Sequence, residues 1–272
     1  MPRLDRITRK TNTDVLGGED GRLVQSLVRG LSVLRAFRPG EASLGNAEIA
    51  ARTGLARATV SRLTETLAAL GYLTFLPRTG RYELGAAVVA LSHSLLAGMP
   101  HRLAARPYLQ EIAEATRLPA SIGMQDGREL VLIETVRHPE ARPARFDLGA
   151  RVPIPTSAMG RAWLFAQPPE ARARLLETFR AEHGAEEWAA IAPRIDTAFA
   201  SVRERGFCVS LGDRRPDVFA AGAPVQTADG PVLALTCGGL PAEVSAERLE
   251  TDIGPRLAIA ARHLSTETPI HA

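Results

Sequence analysis

A chain of 272 residues, 45% of them apolar and with a formal charge of +3, has room for about two domains with packed cores. Its two cysteines, Cys208 and Cys237, form no CxxC and stand beside no histidine at ligand spacing, which argues against a zinc site or a disulfide framework and for buried, reduced thiols. Residues 1–85 hold 13 Arg or Lys against 8 Asp or Glu, while residues 86–272 hold 20 against 22, so a basic first third precedes a mildly acidic remainder, as suits a nucleic-acid-binding segment or, equally, a solvated basic surface.

No apolar run reaches the ~18 residues of a membrane helix. Met1 to Gly21 lack the apolar centre of a signal peptide. A soluble, cytoplasmic protein with no membrane partner is expected. Residues 1–21, with Arg3, Arg6, Arg9, Lys10 and Gly17-Gly18, read as a disordered arm. Leu23 to Phe37 has helical spacing, with Leu23, Leu27, Leu31, Leu34 and Phe37 on one stripe, and Arg38-Pro39-Gly40 ends it. Ala47 to Arg52 is a short helix stopped at Thr53-Gly54. Ala56 to Leu70 is a longer one stopped at Gly71. Tyr72 to Leu76, the turn Pro77 to Gly80, and Arg81 to Leu84 read as a hairpin. These elements place the first domain at 22–85.

Ala86 to Leu96 is apolar and helical in period, a linker over 86–99. Val88, Val89, Leu91, Leu95 and Leu96 are too apolar to lie free in water, and burial against a second subunit is expected. The second domain spans 100–266. It opens with a helix over Leu103 to Thr116. Strands follow over Ala120 to Met124 and Leu130 to Val136, joined at Asp126-Gly127, with a short strand over Arg145 to Leu148. Helices are expected over Thr156 to Ala166, Pro169 to Ala181 and Pro193 to Arg205. Strands are expected over Phe207 to Leu211, Val218 to Val225 and Val232 to Cys237, with a turn at Asp229-Gly230. Ser245 caps a last helix running through His263. The fold class is α+β.

The segment from Ala47 to Leu63 carries the functional reading. Two helices joined by a short turn must cross steeply, and Gly54 supplies the permissive backbone. At about 100° per residue, Val60, Leu63, Leu67 and Leu70 share one face of the second helix. Arg57, Ala58, Ser61, Arg62 and Glu65 share the other. A small, basic outward face near a helix N-terminus suits entry into a major groove. Arg57 and Arg62 are candidates for guanine edges or phosphates, Thr59 and Ser61 for phosphates. Arg78 and Arg81 lie in the hairpin, where a wing runs along the backbone or minor groove.

The chain resembles the IclR family of bacterial transcription regulators from about Val24 to Leu264. The matching stretches in the first half are Val24 to Leu27 with Arg29 to Leu31, Glu48 to Ala50, Thr53 to Leu55, Thr59 to Leu63, Leu70 to Leu73 and Tyr82 to Gly85. In the second half they are Val152-Pro153 with Ser157 to Ala162, then Arg205 to Phe207 and Ala223 to Val225. The resemblance implies a winged helix-turn-helix, a linker helix and a GAF-like α/β effector-binding domain. It implies a homodimer or homotetramer on operator DNA, acting as repressor or activator, with no cofactor or metal and a small organic or aromatic acid as effector. Carried over onto this sequence, the effector positions are Thr156, Ser157, Ala158, Met159, Ala220, Thr236 and Gly238, with Ser210 and Asp213 on a covering loop. Thr156 and Ser157 would seat a carboxylate at a helix N-terminus. Pro155, Asp213 and Asp217 depart from residues common in the family (His, Glu and Gly). Arg145 is expected to pair with Asp147 rather than to meet an acidic ligand.

His93, His101, His138, His183, His263 and His271 have no partner at metal or catalytic spacing, and GxSxG, P-loop and GxGxxG patterns are absent. An enzyme carrying a DNA-targeting module would need a cluster of acid, base or nucleophile in the second domain, and none is visible. A winged helix serving protein contacts alone is the other alternative.

Overall fold

The computed structural model describes residues 23–140, 147–213, 215–226 and 230–266. The expected arm over 1–21, Arg145 and Asp229 lie outside them. The chain divides into two compact units, Met1–Gly98 and Met99–Ala272.

The first unit runs α1 (Gln25–Arg35), α2 (Asn46–Thr53), α3 (Arg57–Ala69), β1 (Leu73–Leu76), β2 (Arg81–Leu84) and α4 (Ala86–Ala97). Gly54, between α2 and α3, sits at φ +70°, a left-handed conformation that glycine adopts without a steric cost. Its N–H closes α2 on the Ala50 carbonyl at 2.9 Å. Ile49 and Val60 meet in full burial, with Leu55 and Leu63 packed beside them. Thr64 is buried as well, and its hydroxyl donates to the Val60 carbonyl one turn back at 3.0 Å.

Three positions expected on apolar faces are corrected. The row Leu23, Leu27, Leu31 steps four residues at a time, and each step turns about 40° round the helix. The row therefore drifts off the core: Leu27 and Leu31 are exposed, and α1 buries Val33 with Ala36 beyond its end. Leu70 caps α3 and is exposed. The hairpin also has a third member that the sequence reading missed. Leu44 pairs with Tyr82 through two 2.8 Å backbone bonds, which fastens the wing to the segment between α1 and α2.

Arginine–glutamate pairs complete that fastening. Arg52 holds Glu41 in a two-point pair and donates to the Ala36 carbonyl at 2.9 Å. Glu48 accepts from the Gly45 N–H at 2.8 Å and from Arg81 at 2.8 Å. The Arg52 guanidinium holds the Glu41 carboxyl below its ordinary 4.5. The Gly45 N–H, and then Arg81, do the same for Glu48.

The second unit comprises α5 (Pro100–Thr116), β3 (Ala120–Asp126), β4 (Glu129–Val136), β5 (Arg151–Pro153), α6 (Ala158–Phe165), α7 (Pro169–Arg205), β6 (Cys208–Leu211), β7 (Phe219–Val225), β8 (Leu233–Gly239), α8 (Ala246–Arg248), a π-helical turn over Leu249–Ile253, and α9 (Gly254–Thr266). Six antiparallel strands form one sheet in the order β5-β4-β3-β8-β7-β6. Alternation along the strands separates two faces. Gly123 and Gly222 face α6, while Cys237 faces α5, its sulfur 3.6 Å from the Thr116 hydroxyl. Trp163, Phe179, Ile191 and Ile195 build the core on the α6 side with Leu130 and Leu132 of the sheet.

Here too the structure corrects the reading. Asp147 and Leu148 are not in a strand, and β5 lies further on, at Arg151–Pro153. The two helices expected over Pro169 to Ala181 and Pro193 to Arg205 are present within α7 but meet earlier, at a kink at Gly184, where φ is +71° and ψ 170°. The stretch Ala185 to Ala190 is rich in helix formers and carries the helix into Pro193. Glu182, at the break, pairs with Arg128 of the β3–β4 turn. Ser245 does cap α8, accepting from the Arg248 N–H at 3.2 Å.

A carboxylate with a lowered value stabilises the fold above its unfolded value and loses that contribution as pH falls through its folded value. Denaturant unfolding followed from about pH 6 down to about pH 3 should therefore show a loss of stability of the first unit that is smaller in Glu41→Gln/Glu48→Gln. An equal loss in the variant would acquit both pairs.

Candidate DNA-reading face and effector cavity

The first two turns of α3 present Arg57, Ala58 and Arg62 to solvent, with Thr59 and Ser61 half-buried. The N-cap residue is Ala56, which offers no side-chain acceptor, and no acid stands in the first turn. The leading N–H groups and the positive end of the helix dipole are thus left open to an anion. Among the described residues, Arg57, Arg62 and Arg78 have no ion-pair partner. Ser61 donates to Glu65 at 3.2 Å. Arg81 differs from the sequence reading of a wing-tip contact. Its Nε donates to the Ser43 hydroxyl at 3.0 Å, its Nη2 to the Ser43 carbonyl at 2.8 Å, and it pairs with Glu48. It braces the wing, and Arg78 alone is left at the tip.

The second unit holds a cavity of about 720 Å³ between the sheet and α6. The helix reaches the sheet end-on: a Cβ on Gly222 would lie 2.5 Å from the Ala158 carbonyl carbon, so only glycine permits this approach. The Cys208 thiol donates to the Ala158 carbonyl at 3.3 Å. Ser157, Ala158, Met159, Ser210, Ala220, Thr236 and Gly238 all contribute to the wall. Thr156 and Asp213 do not, and Ser121, Leu132, Val152 and Val218 join without having been singled out.

The polar groups divide by what they have left to offer. The Ser157 hydroxyl is committed as the N-cap of α6, donating to the Pro153 carbonyl at 2.6 Å and accepting from the Gly160 N–H at 3.0 Å. It is therefore not the free ligand donor that the sequence suggested. The Ala158 and Met159 amides, next in line, take no acceptor among the described residues. Thr236 spends its proton on the Ala221 carbonyl at 2.7 Å and faces the cavity as an acceptor. The Ser210 hydroxyl has no partner among the described residues.

Asp213 is drawn away from the cavity by charge. Arg161, 1% exposed, donates to the Pro155 carbonyl at 2.9 Å through Nε and pairs with Asp213 through Nη1. Arg194 reaches the other Asp213 oxygen at 2.7 Å. Arg161 Nη2 is buried without a partner among the described residues. Asp147, the expected partner of Arg145, is paired with Arg137 at 2.8 Å, while Arg145 itself lies outside the described residues. Burial pushes the Cys208 and Cys237 thiols up to about 12, so neither supplies a thiolate. The inner wall offers hydrogen bonds and apolar contact, with no nucleophile set beside a base.

Removing one partner of a buried ion pair strands the other charge, at a cost of about 3–5 kcal/mol. Asp213→Ala should lose stability on that scale in denaturant unfolding, and Arg161→Met/Asp213→Leu should recover much of it. A loss below about 1 kcal/mol would mark the pair as incidental.

A family model for the IclR helix-turn-helix domain matches residues 26–77, and one for the bacterial transcriptional regulator IclR C-terminal matches residues 93–266. The HTH-type transcriptional regulator TsaQ1/TsaQ2 of Comamonas testosteroni is 31% identical over 249 residues, 90% of this chain and 88% of that protein. The crystal structure of an IclR family transcriptional regulator from Brucella abortus aligns at TM-score 0.80 and 35% identity, covering 96% of this chain and 99% of that one. An IclR homolog from Microbacterium hydrocarbonoxydans, complexed with 4-hydroxybenzoate, shares the fold at TM-score 0.68 and 18% identity, covering 89% and 98% of the two chains. With family models spanning both of its units, the chain belongs to the IclR family of bacterial transcription regulators, which are DNA-binding proteins and not enzymes.

Proposed function

We propose that the protein binds an operator as a homodimer or homotetramer and that a small organic or aromatic acid in the cavity alters that binding. The observation that carries the DNA half is the open N-terminal end of α3, where Arg57 stands exposed at an uncapped helix end and Arg62 stands exposed in the next turn. In a major groove these two reach base edges or phosphates, Thr59 and Ser61 serve phosphates, and Arg78 follows the backbone from the wing. Arg81 contributes by holding the wing in place.

The effector half rests on the Ala158 and Met159 amides. A helix N-terminus with open N–H groups favours a carboxylate, and Asp217, which also lines the cavity, is already paired with Arg215. The 4-hydroxybenzoate complex of the fold relative supports an aromatic acid of this kind. Subunit association rests on α4, which buries no residue and exposes Val89, Leu91 and Leu95. α1 exposes Leu27 and Leu31, and Val24 before it is exposed as well, in the same unit. Apolar exposure on this scale marks an interface, and two-fold assembly matches operator symmetry. For the acid to act as a switch, it must prefer one arrangement by about 1–3 kcal/mol.

The test is fluorescence anisotropy with the DNA upstream of the protein's own gene. Arg57→Ala/Arg62→Ala should weaken binding and lower the slope of log affinity against log salt by about 2. Unchanged affinity and slope would refute the assigned face. Val89→Asp/Leu91→Asp should shift the protein toward monomer in light scattering and weaken operator binding with it.

A further inference from the structure

The cavity is several times larger than a single ring requires. A cavity of about 150 Å³ accepts benzene, and this one measures about 720 Å³. The lining extends beyond the family-matched positions to an outer end. There the end of α5, the start of β3 and the segment after β8 supply Leu118, Pro119 and Leu240 as apolar wall, with Arg117 and Arg248 among the lining residues. The inner end carries amides and hydroxyls, and Asp217, which also lines the cavity, is paired with Arg215. The two ends thus differ in chemistry.

Arg117 has two further properties. It caps α5 at φ +59°, the one non-glycine residue at positive φ among the described residues. That conformation is costly for a side chain of its size. Its guanidinium pairs with Glu140, and both side chains are about 70% exposed, so the pair is weak and its partner exchangeable. Arg248 is held more firmly. Its Nη2 donates to the Thr116 carbonyl at 2.9 Å, and its Nε lies 3.5 Å from Asp252. Glu243, nearby, spends its carboxylate on the Leu240 N–H at 2.9 Å. The outer end therefore pairs one fixed guanidinium with one that can change partners.

We propose that the effector is a two-ended molecule. One acid group sits on the Ala158 and Met159 amides, an apolar body crosses the cavity past Leu118 and Leu240, and a second carboxylate is received by Arg117 and Arg248. Arg117 releases Glu140 to water and takes the ligand instead, with a fork that matches a carboxylate. This inference rests on the reading of the cavity as an acid site.

The test is calorimetric titration of the full-length protein with the linear dicarboxylates from succinate to sebacate, with the matching monocarboxylates, and with benzoate and terephthalate. One length of dicarboxylate should bind at least ~10-fold tighter than the monocarboxylate of equal length, about 1.4 kcal/mol. Arg117→Asn should remove that gain while leaving the monoacid unchanged, since Asn tolerates the left-handed backbone and lacks the guanidinium. Monoacids that bind as tightly as every diacid would overturn the two-ended ligand and leave the inner acid seat standing. A diacid gain that survives Arg117→Asn would also overturn it. No binding by any acid would overturn both readings. Should Arg117→Asn fail to fold, the comparison on the unaltered protein decides alone.

Discussion

The first turn of α6 comes down on β7 at Gly222, where any side chain would collide with the Ala158 peptide. The chemistry of the second unit hangs on that contact. It aims the helix end, with its open Ala158 and Met159 amides, at a sheet face paved by Ala220, Thr236 and Gly238. Those residues are small or short, so a cavity persists where larger side chains would have closed a core. Ser157 caps the helix from within and the Cys208 thiol secures its first carbonyl, so the donors are held in place before any ligand arrives.

Arginine serves two purposes in this protein, and its surroundings decide which. Arg52, Arg81 and Arg161 are committed to Glu41, Glu48 and Asp213 and each adds a bond to a backbone carbonyl. They join segments distant in sequence. Arg57, Arg62 and Arg78 have no such partner among the described residues and keep their charge available for phosphate. The braces contribute to the readers' function indirectly: the wing that carries Arg78 is fastened by Arg81 and by the Leu44–Tyr82 bridge.

Local pattern made the first unit legible. Gly54 announces the turn between α2 and α3, and the apolar spacing of Val60, Leu63 and Leu67 announces the buried face of α3. Patterns that depend on distant partners stayed hidden. Nothing near Arg81 in sequence reveals Ser43, 38 residues away. The i, i+4 row through Leu27 and Leu31 looked like core, but its drift round the helix becomes evident only once Val33 and Ala36 are seen inside. In the second unit the family pattern located the wall around Ser157 to Met159. It did not reveal that Asp213 would be captured by Arg161 and Arg194. The outer end went unseen because Arg117, Leu240 and Arg248 come together only when α5, β8 and α8 are folded side by side.

The cavity and the reading face belong to one regulator only if filling the first changes the second. The most direct measurement is operator affinity, by anisotropy, with and without each acid that calorimetry shows to bind, in the unaltered protein and in Ala220→Phe, which fills the floor beneath the Ala158 and Met159 amides. The predicted result is a shift of about 5–150-fold with at least one acid, lost in Ala220→Phe. An acid that binds the cavity and leaves operator affinity unchanged, or one that shifts it equally in Ala220→Phe, would contradict the coupling.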